Sequence, residues 1–425
     1  MLGAGLAGLA CARRLVAQDL DVAVVEAADA VGGRVRSDRI DGFRVDRGFQ
    51  LLNPAYPEAR RLLDLAALRL QPLPTAVVVA RGDRRLLLAD PRRTPPAQWP
   101  RLAAGAVAAG VMPEAPRFAR WALHAGRAAP ARLLSAEDGP WGEALDRRRV
   151  RGPLRHAVLE PFLAGVLGEA DGSTSRRFVE LLLRSFVRGR PSLPWSGMQA
   201  VPDQLATGLP LRSLHLGVTA TRVRPGEVTT SQGTMAARAV VVATDPVTAA
   251  RLTGLPEPAM HGLTTFWHVA AHPPTASGAL HVDGDRPGPV VNTVVVSRSA
   301  RAYSPDARAL VASTVLGDAS AGPGGTADAE REVRRHLATI YGADPSGWEL
   351  LAVHAIPRAL TAMPPPLDPR REVDLGDGLV VAGDHRDTAS QQGALVSGRR
   401  AADAVLSRLG LPVPPRPALE DRRAR

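Results

Sequence analysis

Apolar residues recur at two different spacings along this chain, and the order in which the spacings alternate is informative. Leu6, Leu9, Ala10, Leu15 and Val16 fall on one face of a helix that opens straight out of a glycine-rich turn. The Val-rich run DVAVVE (21–26) follows and reads as a short buried strand of the kind parallel sheets prefer. Residues from about 56 to 190 read as mostly helical, with a proline-rich break at PRRTPPAQWP (91–100). From 211 to 245 the pattern changes to short strands ending in AVVVATDP (239–246), and a second β-rich stretch covers 264–318. ADAEREVRRHLATIYG (327–342) is a helix. GLVVAGD (378–384) is a strand entering a turn, and GALVSGRRAADAVL (393–406) is the helix after it. The tail from 411 to 425 has no periodicity and is expected to be disordered.

Composition narrows the class. With 425 residues, 45% of them hydrophobic and 22% charged, the chain has the balance of a globular protein with a large core. Its formal net charge of +11 comes from 53 cationic residues that are all arginine, since no lysine occurs. A GC-rich coding bias accounts for that usage. The arginines are scattered and rarely interleaved with aromatics, which argues against nucleic acid as a partner. The lone cysteine, Cys11, excludes an internal disulfide; with no secretory signal and no long apolar run, the expected location is the cytosol. No cluster of residues has metal-ligand spacing, so no metal is expected.

Chemistry begins at the first residues. Gly3, Gly5 and Gly8 form G-x-G-x-x-G: one glycine for the tight turn, one for close approach of a pyrophosphate, one for helix packing. The helix behind them offers unpaired N–H groups to phosphates. Glu26 closes the next strand, where a carboxylate accepts the hydroxyls of a ribose. VGGRVRS (31–37) follows, and there Gly32 and Gly33 let the backbone fold back over the pyrophosphate while Arg34 neutralises it. Gly48 and Gln50 would lie further along an extended cofactor. Only Met1 and Leu2 precede the turn, where a buried strand is expected. That predicts a start upstream of Met1, and higher flavin occupancy and stability once about five residues are restored.

GAGLAGLACARRL, VAVVEAADAVGGRVRS and, at the far end, LVVAGDHRDTASQQGALVSGRRAADAVL together resemble the flavin-containing amine oxidase superfamily, which includes protoporphyrinogen oxidases and phytoene-desaturase-like enzymes. The middle (160–206) resembles the family's exit from its helical substrate domain. The resemblance implies FAD as cofactor and an α/β fold: a doubly wound, Rossmann-like FAD-binding domain assembled from discontinuous segments, with an α+β substrate domain. The expected boundaries are 1–55, 196–262 and 361–410 for the FAD-binding parts, 56–195 for the helical part of the substrate domain and 263–360 for its sheet. Leu6 and Ala7 would join the glycine turn, and Ala27 would lie beside Glu26. Phe49 would lie beside Gln50, Val218 would meet adenine, and Ala243 with Thr244 would close a strand against the nucleotide. Gly383 would sit at the pyrophosphate and Asp384 on the ribityl chain, with Gln392, Gly393 and Ala394 at the flavin's pyrimidine edge.

Two departures shape the functional expectation. The chain lacks the lysine and the aromatic pair that amine oxidases of this family commonly use. Around the last motif it offers His385 and Arg386, which with Gln50 are the substrate-facing candidates. An arginine there favours an acidic or neutral substrate over a cationic amine; for His385 the alternative is a surface turn residue. The expected activity is hydride removal from a small apolar or acidic molecule onto flavin N5, with oxygen or a quinone as acceptor. The alternatives are an isomerase or desaturase needing reduced FAD, and a flavin-free carrier of the GDP-dissociation-inhibitor type. LAAGAVAAGVM (102–112) and RFARWALHAG (117–126) read either as a buried helix pair or as a patch for peripheral membrane contact.

Overall fold

The computed structural model describes residues 1–416 except 286, 287 and 323; the part of the expected disordered tail from 417 onward lies outside the described residues. Three distant chain segments build one twisted parallel sheet. Val24–Glu26 pairs in parallel with Leu214–Leu216, and Val240–Val242 pairs in parallel with Leu379–Val381. Leu2 joins the two pairs. It bridges Val25 on one side and Val242 on the other, donating to the Val241 carbonyl at 2.8 Å and accepting from Ala243 at 2.7 Å. At its centre Leu2, Val24, Val25, Val240, Val241, Val242, Val380 and Val381 are all buried, which is why these strands read as short apolar runs.

The first helix, Leu6–Val16, and the last, Gln391–Arg408, pack together on one face of that sheet. Their backbones approach so closely that a Cβ on Gly398 would lie 2.1 Å from the Ala7 carbonyl oxygen. Arg14 and Asp403 clamp the same pair at 2.6 Å.

A second layer holds a seven-stranded sheet in the order Glu349–Thr361, Met260–Ala270, Ala309–Leu316, Val290–Val295, Leu280–Asp283, Ala76–Arg81, Arg84–Ala89. All its pairings are antiparallel except that of Leu280–Asp283 with Ala76–Arg81. The last two strands correct the reading of 56–190 as mostly helical. TAVVVA is too short an apolar run for its period to distinguish helix from strand. The turn at Gly82 (φ +53) folds it into a hairpin instead. The expected strand 21–26 is likewise shorter, holding only Val24–Glu26.

The helices Trp99–Ala108, Ala115–Arg127, Trp141–Arg147, Glu160–Leu167 and Arg176–Arg188 enclose a separate core around Trp121, Trp141, Leu145 and Phe178. Each buried indole N–H there reaches a carboxylate, Trp121 to Glu180 at 2.7 Å and Trp141 to Glu169 at 2.8 Å. Burial of the ring therefore leaves no donor unpaired.

Substituting Gly398→Val should push the first and last helices apart and destabilise the protein by about 2–3 kcal/mol, in the range of an overpacked core. Urea unfolding measures it. A change below about 0.5 kcal/mol, the level of a surface substitution, would show the helix contact to be looser than described.

Candidate functional site

The site lies where the parallel sheet ends beneath the seven-stranded sheet. At Gly3 the chain turns with φ +96, and a Cβ there would meet the Ala243 carbonyl oxygen at 2.5 Å and the Thr244 nitrogen at 2.9 Å. Gly8 is as constrained, its added Cβ falling 2.0 Å from the Gly3 carbonyl oxygen. Gly5 is different. Nothing lies within 4 Å of a Cβ built on it, and it caps the Leu6–Val16 helix with no side chain over the free N–H groups of the first turn, which include those of Leu6 and Ala7. Two glycines are needed for the turn to exist, and the third leaves an open floor at a helix N-terminus.

Around that floor the other candidates assemble. Gly32 donates to the Ala4 carbonyl at 2.8 Å, which lays the Gly32–Gly33 loop along the turn. Glu26 is fixed at its strand end by the N–H groups of Ala4 (2.7 Å) and Ala28 (2.9 Å), and Val218 donates to the Glu26 carbonyl at 2.9 Å. Glu26, Ala27 and Val218 therefore form one end of the site. At the other end Arg34 donates to Asp384 Oδ1 at 2.5 Å and to the Ala359 carbonyl at 2.9 Å, while Thr361 donates to Asp384 Oδ2 at 3.3 Å. Burial pulls the Arg34 guanidinium toward losing its proton, but Asp384 outweighs that and holds it above its usual range. Gly383 is held by Ser397 Oγ, which accepts its N–H at 2.6 Å.

Ser390 caps the last helix, accepting from Gly393 at 3.0 Å, and the first turn runs on through Ala394. Gln392 is turned away to accept from the Glu58 N–H at 2.9 Å. Gly48 packs on Ile356, and Phe49 donates to Thr265 Oγ1 at 3.4 Å. The Gln50 amide donates to the carbonyls of Arg34 (2.7 Å) and Arg47 (2.9 Å), so it ties the arginine loop in place.

Sequence reasoning passed over the residues that wall the adjoining space. A small, partly open cleft lies between the helices Glu160–Leu167 and Arg176–Arg188 and the end of strand Glu349–Thr361, beside Ala389 just ahead of the last helix. Val166, Leu167, Phe178, Leu360 and Met363 line it with Thr174 and Thr361. No motif could have announced them, because they come from four separate segments and are individually ordinary. Neither His385 nor Arg386 lines this cavity. His385 is only 4% exposed, packed under Gly383, and burial pushes its imidazole down to about 4. Arg386 donates to the Glu372 carbonyl at 2.9 Å.

Residues 6–406 match the family model described as flavin containing amine oxidoreductase. This chain belongs to that family. FAD is accordingly its cofactor, and the protein is an oxidoreductase rather than a flavin-free carrier. A putrescine oxidase from Kocuria rosea is 47% identical over 64 residues, a stretch covering 15% of this chain and only 13% of that protein. Among solved structures, a protein of Exiguobacterium sp. 255-15 provisionally called a protoporphyrinogen oxidase superposes with a TM-score of 0.69 at 18% identity, covering 96% of this chain and 98% of that one. Reduced UDP-galactopyranose mutase superposes equally well, with a TM-score of 0.69 at 15% identity, covering 99% and 95%. These two likenesses establish the shared fold. The open Gly5 floor, flanked by a fixed carboxylate at one end and the Arg34–Asp384 pair at the other, fits a dinucleotide such as FAD.

His385 gives the fold a pH signature. The folded chain resists protonating this ring until about pH 4, whereas the unfolded chain protonates it near 6.5. Its contribution is therefore complete above 6.5 and is lost as pH falls toward 4. In His385→Gln the loss of stability between pH 7 and 4.5, measured by urea unfolding, should be shallower by about one proton. Parallel curves for the two proteins would refute this.

Proposed function

We propose that this flavoprotein removes a hydride from a small, uncharged, apolar organic substrate held in the cavity beside Ala389. The wall chemistry carries this reading. Five of the side chains named above are aliphatic or aromatic, two are threonine hydroxyls, and no charged side chain is among the lining residues. A cationic amine or a carboxylate would lose its water there without a counter-charge, a cost of several kcal/mol. An apolar body loses nothing comparable. This favours the apolar half of the expectation over the acidic half, because Arg386 is absent from the lining.

Each residue near the site then has a defined task. Gly3, Gly5 and Gly8 shape the turn that accepts the pyrophosphate, with the N–H groups of Leu6 and Ala7 aimed at it. Glu26 would hold the ribose, with Ala27, Val218, Ala243 and Thr244 around the adenosine. Arg34 neutralises phosphate charge, and Asp384 keeps it in place. Gly383, Gln392, Gly393 and Ala394 bring a positive helix end toward the flavin ring, where negative charge is favoured. FAD, when bound, supplies the hydride acceptor at N5. Phe178, Met363 and Leu167 exclude water and hold the substrate's C–H bond close to it. Gly48, Phe49 and Gln50 support the cofactor edge rather than the substrate.

A surface feature supports peripheral membrane contact. Trp99 (51% exposed), Val107 (66%) and Met112 (51%) lie on and just after the Trp99–Ala108 helix, with Ala103 and Ala104 also exposed. Between residues 91 and 135 stand seven arginines and one acid, Glu114, which is buried accepting N–H groups of Gly152 (2.6 Å) and Leu154 (3.0 Å). An apolar helix face with a basic rim suits an anionic lipid surface. Among the described residues no helix is long and apolar enough to cross a membrane.

Two measurements test these readings. Anaerobic mixing with a panel of uncharged apolar compounds, carboxylates and amines should bleach the flavin fastest with an uncharged member, and Val166→Phe, which narrows the cleft, should slow that reaction at least tenfold with FAD content unchanged. Faster bleaching by a diamine would overturn the substrate class. In co-sedimentation, vesicles containing phosphatidylglycerol should retain the protein at low salt and release Trp99→Ser/Val107→Ser; equal retention of both proteins would remove the membrane face.

A further inference from the structure

Asp46 closes the strand Phe43–Asp46 with its side chain fully buried. Among the described residues no guanidinium or imidazole stands within ion-pair distance of it; Arg47 and His354 pair with Asp38 instead, at 2.9 and 3.3 Å. A buried aspartate normally has a cation for a partner. Here three neutral donors take that place. Oδ1 accepts from Ser37 Oγ at 2.5 Å and from the Met198 N–H at 3.0 Å, and Oδ2 accepts from the Tyr303 hydroxyl at 2.9 Å. The donors come from three separate segments: the hairpin strand Ser37–Ile40, the residues just ahead of the helix Ala200–Ala206, and the turn Arg301–Tyr303.

From Ser37 the contacts continue toward the cofactor loop. Ser37 Oγ accepts the Gln199 N–H at 3.0 Å, and Gln199 Nε2 donates to the Val31 carbonyl at 3.0 Å. Val31 directly precedes Gly32, Gly33 and Arg34. Gly197 (φ +92) permits the close approach, since a Cβ there would fall 2.7 Å from Ser37 Oγ. The chain beyond Asp46 reaches the same loop a second way, because the Gln50 amide joins the carbonyls of Arg47 and Arg34. One buried carboxylate thus anchors both ends of the glycine–arginine loop.

We propose that Asp46 is a positioning residue for the cofactor: through Ser37 and Gln199 its ionised carboxylate holds the Val31–Arg34 loop in the shape that receives the FAD pyrophosphate, and its protonation relaxes that loop. Hydrogen bonds to an ionised carboxylate are roughly twice as strong as neutral ones. A proton on either oxygen removes an acceptor, so the Ser37 or the Tyr303 hydroxyl loses its partner. Burial pushes this carboxyl up to about 6, against the pull of its three donors, and Asp38 adds to the rise. The other groups around it do not change charge in that range. Burial and the Asp46 charge hold the Tyr303 hydroxyl well above its usual range, so it remains a donor, with Arg44 opposing them only in part. The Arg47 hydrogen bond keeps Asp38 ionised, and burial keeps the His354 imidazole uncharged at neutral pH.

The dissociation constant for FAD, read from flavin fluorescence on serial dilution of the FAD-loaded full chain, tests this at two pH values. For the native protein it should rise about fourfold from pH 7.5 to 5.5, the linkage expected of a group that titrates near 6 and must be ionised for tight binding. Asp46→Asn keeps the shape of the side chain without its charge. It should bind FAD at least fourfold more weakly at pH 7.5 and show no further change at 5.5. Gln199→Leu leaves the carboxylate in place and cuts its connection to Val31, so it too should give weaker, pH-independent binding, and it provides the answer should Asp46→Asn fail to fold. Native pH dependence retained in Asp46→Asn would assign the titration to another group, such as Asp387, and overturn the proposal. Native pH dependence retained in Gln199→Leu would show that the path to the loop is not the one described, and would overturn it equally.

Discussion

The ion pair between Arg34 and Asp384 is the contact on which the rest of this molecule turns. It closes at 2.5 Å between residues 350 positions apart, and the same guanidinium reaches the Ala359 carbonyl at the end of the long strand. One side chain therefore couples the glycine loop, the last flavin motif and the seven-stranded sheet. Its partners make it stiff. Asp384 is also held by Thr361, and the Arg34 carbonyl accepts from Gln50. An exposed pair of this kind would contribute little, but a half-buried arginine beside a buried carboxylate is expensive to separate. The cost of breaking it is what keeps the three segments of the cofactor site in register.

The division of labour between glycines and carboxylates follows from that geometry. Gly3 and Gly8 are sterically required, whereas Gly5 faces open space, so one motif both builds the turn and leaves a helix N-terminus uncovered. Glu26, pinned by two backbone N–H groups, is oriented before any ligand arrives. Such preorganisation reduces the ordering that binding must otherwise bring about.

Much of this was legible in the sequence where backbone sterics leave no choice. A glycine whose added Cβ would fall 2.0–2.5 Å from a carbonyl oxygen cannot be replaced, so the turn appears as a motif. Arg34 stood out in the glycine-rich loop, but not its grip on Asp384, because nothing in spacing joins residues so far apart. The cavity wall was illegible for a different reason. Val166, Phe178 and Met363 look like any core residue, and only packing makes them a surface. The hairpin at 76–89 was hidden in a run too short to show its period. His385 and Arg386 were found as chemistry-bearing residues, but whether they face substrate depends on a turn whose direction the sequence does not specify.

The sheet's construction has a consequence for synthesis. Leu2 takes its place between strands at 24–26 and 240–242, and the strand at 379–381, which pairs with 240–242, is made last of these. At about 5–20 residues per second, the earliest residues wait on the order of tens of seconds for their final partners. The apolar helix Leu6–Val16 emerges from the ribosome long before Gln391–Arg408 can cover it. The nucleotide-binding half of this protein is thus begun long before it can be completed. During that interval its exposed surface is a natural substrate for nascent-chain chaperones.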